Sequence, residues 1–245
     1  MSRENQACDL LARVGRDYRP AALASSLSIE DMALTDLIGR ERLPIEIFVL
    51  DTGRLHGDTL DLVGRLEQRY GIAVRIHRPR PQAVEEYVVR FGRDAFYESV
   101  ELRKQCCGMR KVEPLRRALA GKRAWLTGMR RSQAATRADV SLEETDAVHG
   151  LRKFNPLADW SEDEVWAYIR RHDVPYNPLY DQGYRSIGCA PCTRPVVAGE
   201  DARAGRWWWE TERGTGASEC GIHFSPDAKL LRKNEDGAHR SESNA

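Results

Sequence analysis

Cysteine is the residue type whose placement in this chain points most directly to chemistry. Cys106 and Cys107 stand side by side in ELRKQCCGMRKVEPL (residues 101–115), and Cys189 and Cys192 form a C-x-x-C pair in SIGCAPCTRP. Adjacent cysteines reach disulfide geometry only at the cost of backbone strain, whereas a C-x-x-C pair chelates a metal centre from a tight turn. Four thiolates are soft ligands that select zinc or an iron-sulfur cluster over magnesium or calcium. Neighbouring side chains on a helix diverge by about 100°, so Cys106 and Cys107 converge only on a bulky target or from a distorted turn. That geometry favours a polynuclear iron centre, with a single zinc ion as the alternative. Lys111 follows Cys107 by four residues, one turn onward on the same helical face. There its charge would offset a thiolate-ligated centre; a solvated lysine on a basic helix is the plainer reading.

The rest of the composition narrows what such a site can serve. The chain has 245 residues, 41% hydrophobic and 31% charged, with a formal net charge of +1. This is the balance of an ordinary globular protein and gives no sign of a nucleic-acid or membrane surface, so any anion site must be local. Residues 1–16 lack the apolar core of a signal peptide, and no later run approaches a membrane span. A cytoplasmic location is therefore expected, and in that reducing compartment the six cysteines read as metal ligands or catalytic thiols rather than a disulfide framework.

The elements that must position these residues alternate in the manner of a parallel α/β domain. AALASSLS (residues 21–28) reads as a buried strand running into a helix, with Ser28 and Asp31 at the spacing of a capping box. IEIFVLDT (residues 45–52) is a second strand, residues 73–77 a third and RAWLTGM (residues 123–129) a fourth. Leu60, Val63, Leu66 and Tyr70 mark a helix between the second and third strands. The pattern predicts a doubly wound, mostly parallel sheet with ligands at the carboxyl ends of the strands. Residues 130–156 are polar and aperiodic, as a functional loop is, and SEDEVWAYIRRH (residues 161–172) is a capped helix. The predicted organisation is one α/β domain over residues 1–198, an arm over 199–224 and a disordered tail over 225–245. Core packing is the expected fate of the tryptophans in RWWWE.

CCGMRKVEPL, LTGMRRSQAATR, YRSIGCAPCTRPV, EDARAGRWWWE and ECGIH, in this order, closely resemble the thioredoxin-dependent assimilatory adenosine 5'-phosphosulfate (APS) reductases. These form the cluster-bearing branch of the PAPS/APS reductase family, and the similarity covers about residues 20–224. The resemblance implies the adenine nucleotide α-hydrolase fold with a mobile C-terminal arm. It also implies one 4Fe-4S cluster on Cys106, Cys107, Cys189 and Cys192, a catalytic nucleophile at Cys220, and thioredoxin or a similar dithiol protein as partner. Adenine recognition is implied at Leu50, Asp51 and Thr52, and SSLSIED (residues 25–31) is implied to be a degenerate pyrophosphate loop. That loop has lost the glycines that permit close backbone approach to a pyrophosphate. GTGAS (residues 214–218) replaces the basic residue common before the nucleophile.

APS carries dense negative charge, for which guanidinium forks and helix N-terminal amides are suited. The candidate contacts are Ser25, Ser26, Arg110, Gly128, Arg130, Arg131, Arg137, Arg194, Arg203 and Arg206; for each arginine taken singly a surface charge is the plain alternative. A free thiol has a pKa of about 8.5 and needs positive surroundings to act as a nucleophile, which this site would give Cys220. Lys111 would contribute to catalysis, and His223 either assists or is structural. With four cysteines on the cluster, Cys8 remains in a surface helix without a role. Glycines 199, 205, 214 and 216 would let the arm open and close. The alternative substrates and functions are 3'-phospho-APS, an iron-sulfur RNA-thiolating ATP pyrophosphatase, and a non-catalytic zinc module. Oligomeric state stays open, a homo-oligomer included.

Overall fold

The computed structural model describes residues 2–212. Six strands form one sheet in the order β3-β2-β1-β4-β6-β5: β1 (Ala21–Ser25), β2 (Ile45–Leu50), β3 (Val74–His77), β4 (Ala124–Leu126), β5 (Glu143–Asp146) and β6 (Leu151–Phe154). All pairings are parallel except β5 with β6. β1 is almost wholly buried, as a central parallel strand covered on both faces must be, and this is why AALAS carries no polar alternation. The chain winds from β1 outward through β2 to β3, then returns across to β4 on the other side of β1. The carboxyl ends of β1 and β4 therefore flank a topological switch point, where such sheets open a crevice.

Helices cover both faces: α1 (Arg3–Asp17), α2 (Ile29–Arg40), α3 (Gly57–Tyr70), α4 (Pro81–Phe91), α5 (Val100–Cys107), α6 (Glu113–Leu119), α7 (Glu162–Arg171) and the short α8 (Trp208–Glu212). α1 starts where Ser2 accepts a hydrogen bond from the Asn5 N–H, and it buries Ala7, Leu11 and Val14. Cys8, expected on the surface, is half-buried and packs against the main core. α7 carries the predicted capping box, with Ser161 and Glu164 each accepting the other's N–H at 3.1 and 2.7 Å. At α2 the box expected from Ser28 and Asp31 does not form. Ser28 caps by backbone alone, because the Asp31 carboxylate is held elsewhere.

Residues 130–156 are not a loop throughout. β5 and β6 lie within them, and Glu143 of β5 accepts from Arg152 of β6 at 2.5 Å and from Arg13 of α1 at 2.6 Å. Short strands with charged side chains, β5 at the sheet edge and β6 next to it, show no apolar period, and so the strand pattern was hidden. The first part of the predicted arm is packed into the body. Trp207 and Trp209 are buried beside Phe96, as core packing requires. Gly205 serves close contact rather than hinge motion: a Cβ there would stand 2.2 Å from the Arg194 carbonyl. Gly214, Gly216, Cys220 and His223 lie outside the described residues.

Candidate active site

The crevice at the switch point is a cavity of about 230 Å³ formed where the turn after β1 faces the turn after β4. Asp31 ties these two turns together. Its Oδ2 accepts from the Ser26 N–H at 2.6 Å and the Ser26 hydroxyl at 2.7 Å, and its Oδ1 accepts from the Gly128 N–H at 3.1 Å. Burial pushes the Asp31 pKa up to about 6, against the Ser26 and Gly128 hydrogen bonds that favour the carboxylate. Gly128 admits no side chain, since a Cβ would sit 2.5 Å from Asp31 Oδ1. Between Ser26 and Ser28 the chain bends through Leu27, which is buried in the left-handed region at φ 61°. The turn thus makes its bend without the glycine that such a conformation favours.

Ser25, Ser26, Leu50, Gly128, Arg130, Arg137, Arg203, Arg206 and Lys111 all line this cavity. Leu50 contributes to an apolar floor with Ala24, Val49 and Leu115. Arg130 is buried and spoken for: it donates to Glu30 at 2.9 Å, to the Ser132 hydroxyl at 2.7 Å and to the Trp160 carbonyl. It builds the wall more than it offers a free charge. Arg137 is steered by Gln133, whose Oε1 accepts from it at 2.5 Å. Arg206 passes over Gly188, where a Cβ would meet the guanidinium carbon at 2.7 Å, to reach the Ser186 hydroxyl and the Ile187 carbonyl. Glu30, Asp31 and Gln133 were missed by the sequence reading. Asp31 carried a signal, a carboxylate just inside a helix start, that was assigned to capping.

Five expected contacts lie elsewhere. Arg131 pairs with Asp159 on the outer surface, and Arg194 makes a two-pronged pair with Glu200 at 3.0 Å. Asp51 is turned from the cavity because successive residues at a strand exit point to opposite sides; it accepts from Arg78 and from the Gly53 N–H, both at 2.9 Å. Arg110 lines a second, smaller cavity, and Thr52 stands behind it, its carbonyl accepting from Arg110 and its hydroxyl beside the Cys189 sulfur.

That second cavity brings together Cys106, Cys107, Cys189 and Cys192 from segments more than eighty residues apart in the sequence. Its remaining walls are Arg54, Phe96, Arg103, Arg110, Lys111, Pro191 and Trp207, cationic and aromatic in character. Directly after Cys107 the helix widens into a π-helical turn, Gly108–Val112. Lys111 is consequently not one regular helical turn beyond Cys107, yet it lines both cavities. Arg110 donates to the Thr52 carbonyl at 2.6 Å, and its charge beside Cys106 opposes the burial that raises the pKa of that thiol. Thr52 Oγ1 lies 3.2 Å from Cys189 Sγ. Among the described residues, no three His, Cys, Asp or Glu side chains converge closely enough to hold a single metal ion. The thiols surround a space instead.

Burial raises the Cys106 pKa, Arg110 opposing it, and pushes Cys192 up to about 12, with Lys111 and Arg206 opposing. Such thiols hold their protons at neutral pH unless a metal takes the proton's place.

The fold is that of the adenine nucleotide α-hydrolases. An NH3-dependent NAD synthetase from Campylobacter jejuni aligns over 99% of this chain and 96% of its own with a TM-score of 0.51 at 12% identity, a likeness of fold alone. A phosphoadenylyl-sulfate reductase from Candida auris, in a phosphate complex, aligns over 78% of this chain and 90% of its own with a TM-score of 0.66 at 28% identity.

The model of the phosphoadenosine phosphosulfate reductase domain matches residues 20–195, and the chain belongs to that family. Relatives named adenosine 5'-phosphosulfate reductase are 56% identical in Allochromatium vinosum, over 92% of this chain and 88% of theirs, and 52% identical in Burkholderia cepacia, over 94% and 90%.

Proposed function

We propose that this chain is an adenylyl-sulfate reductase of assimilatory sulfate reduction, converting APS to sulfite and AMP. The observation that carries the reading is the shared wall at Lys111 between a cationic nucleotide-sized cleft and a cavity ringed by four cysteines. The relatives named for the same activity support it. In this reading the apolar floor around Leu50 takes the adenosine, while Lys111, Arg137, Arg203 and Arg206 face the phosphosulfate.

The chemistry is a transfer of the sulfonyl group between nucleophiles. The Cys220 thiolate attacks the sulfate sulfur, the bond from that sulfur to the bridging oxygen breaks, and AMP leaves with the electron pair. The S-sulfocysteine so formed is attacked at its Cys220 sulfur by a thiolate of thioredoxin. Sulfite departs, and the partner's second thiol resolves the mixed disulfide, so the dithiol supplies the two electrons. A unit charge about 4 Å from the developing thiolate is worth roughly 4 kcal/mol at an effective dielectric near 20, which is the service the cationic cleft gives to Cys220.

A 4Fe-4S cluster fits the second cavity better than a zinc ion does. The four thiols line one cavity from two segments, and thiolates costly to form by burial are matched by Arg110 and Arg54 beside Cys106 and by Lys111 beside Cys192. Cys106, Cys107, Cys189 and Cys192 would hold it, and when bound it supplies a fixed local field and structural closure beside the cleft. The location consistent with a thioredoxin partner is the cytoplasm; no described helix is long and apolar enough to cross a membrane.

The deciding experiment compares sulfite release from APS and 3'-phospho-APS with thioredoxin, using protein purified anaerobically, and measures the mass of Cys220 after mixing with APS alone. A brown, iron-containing protein that prefers APS and gains one SO3 on Cys220 is the expected result. Zinc-containing or metal-free protein of full activity would overturn the cluster, and the absence of the adduct in reduced, loaded enzyme would overturn the intermediate. Preference for 3'-phospho-APS would reassign the substrate.

A further inference from the structure

Trp207 lines the thiol cavity and directly follows Arg206, which lines the anion cleft. Its backbone lies in the left-handed region at φ 48°, a conformation that a bulky residue keeps only where its surroundings hold it. Its N–H donates to the Cys192 carbonyl at 3.1 Å. The Arg103 guanidinium stands 4.5 Å from a Trp207 ring centroid and the Arg206 guanidinium 4.8 Å from one; Arg103 lines the thiol cavity and Arg206 the anion cleft. Three residues later Glu210 accepts from Arg103 through both oxygens, Nε to Oε1 and Nη2 to Oε2 at 3.2 Å. The two side chains are only 2% and 3% exposed. Arg103 sits on α5, three residues before Cys106. A buried pair of this kind leaves an uncompensated interior charge if either element moves away, so it holds both in place or neither.

We propose that the Arg103–Glu210 pair is a positioning device that rests on the reductase reading above. It fixes the root of the C-terminal segment to the helix bearing the tandem cysteines. Filling the thiol cavity then also sets the position of Glu210, ten residues before Cys220 in the sequence. Neither residue of the pair is catalytic: both act through the placement of the segment that follows. The state of the cysteine cavity and the readiness of the nucleophile are thereby one property. Emptying the cavity loosens α5 and with it the root of the segment.

The test uses the full chain. Glu210→Gln keeps the shape of the side chain and removes its charge; Glu210→Asp keeps the charge. With iron content and visible spectrum equal to the parent, Glu210→Gln is expected to lower kcat about tenfold through misplacement of the nucleophile, with KM for APS within about threefold. Glu210→Asp recovers most of the loss. Amide hydrogen exchange over residues 206–212 rises in the parent when iron is removed, and rises in Glu210→Gln with iron still bound. Should Glu210→Gln not accumulate as folded protein, Arg103→Lys carries the same readouts. Unchanged exchange over 206–212 in an iron-loaded variant, or an unchanged kcat, overturns the proposal. A chain that never binds iron or APS overturns the reductase reading instead. In that case the coupling is still read from exchange over residues 100–107 and 206–212 in the variant against the parent.

Discussion

The hydroxyl of Thr52 and the sulfur of Cys189 lie 3.2 Å apart, joining the exit of β2 to the C-x-x-C turn. The same hydroxyl accepts from the Arg54 N–H at 3.2 Å, and the Arg54 carbonyl accepts from the Ala190 N–H at 2.8 Å. The turn carrying two of the four clustered cysteines is thus registered against the sheet by backbone as well as side chain.

Thr52→Val preserves shape and removes this hydroxyl. A loss of about 1 kcal/mol in unfolding free energy is expected from the abandoned hydrogen bonds, measured as a lower denaturant midpoint with unchanged slope. With the proposed cluster bound, the loss of an O–H donor to sulfur should also move its potential to more negative values, read by redox titration. An unmoved potential would show that the hydroxyl does not donate to a ligand.

Asp31 gives a pH signature. Its folded pKa of about 6 exceeds the ordinary value of 3.8, so the folded state binds the proton more tightly than the unfolded chain does. The resulting stability is fully present below pH 3.8 and is lost as pH rises to about 6, by up to about 3 kcal/mol. Denaturation of Asp31→Asn should lack this decline, and the difference between the two proteins across that window isolates it. Parallel pH curves would refute the shift.

Gly128→Ala forces a methyl group against Asp31 and Glu30 at 2.5 and 2.7 Å. Overpacking of about 1–3 kcal/mol is expected, together with weakened nucleotide binding, because the two turns that flank the cleft must separate. Thermal melting and calorimetric titration with AMP read the two effects; a variant melting like the parent would mean that the turns yield freely.

Arg206→Ala should raise KM for APS roughly thirtyfold, the loss of one charge-assisted contact. Gly188→Ala, which crowds the same guanidinium, should act in the same direction but more weakly, since a flexible side chain can shift. Steady-state sulfite release decides, and an unaffected KM would remove Arg206 from the substrate.

In protein stripped of metal, Cys192 should react with iodoacetamide at pH 8 about a thousandfold more slowly than an ordinary thiol, its pKa being pushed up to about 12 by burial. Rapid alkylation there would mean that the empty cavity opens to water.

The parallel core was legible because β1, β2 and their following helices have strong apolar periods, and the cysteine pairs because their spacing has few other uses. β5 and β6 were not, since Glu143, Arg152 and Lys153 put charge on two short strands at the margin of the sheet. The roles of Arg130 and Arg131 depend on Glu30 and Asp159, partners distant in sequence that no local pattern announces. Asp31 was misread for a related reason. Its position suits a cap, and only the tertiary approach of Gly128, almost a hundred residues later, shows what it holds. The π-helical turn after Cys107 was foreshadowed only by the need of adjacent cysteines for a distorted helix.

Leu27 bears on how this loop can change over evolutionary time. A left-handed backbone costs a leucine about 1–2 kcal/mol, which glycine would relieve. The same exchange would empty a site only 1% exposed in the core, at about 2–5 kcal/mol for truncating a buried leucine. A single exchange of Leu27 for glycine is therefore uphill, and it becomes tolerable only if neighbouring core residues first grow to occupy the vacated volume.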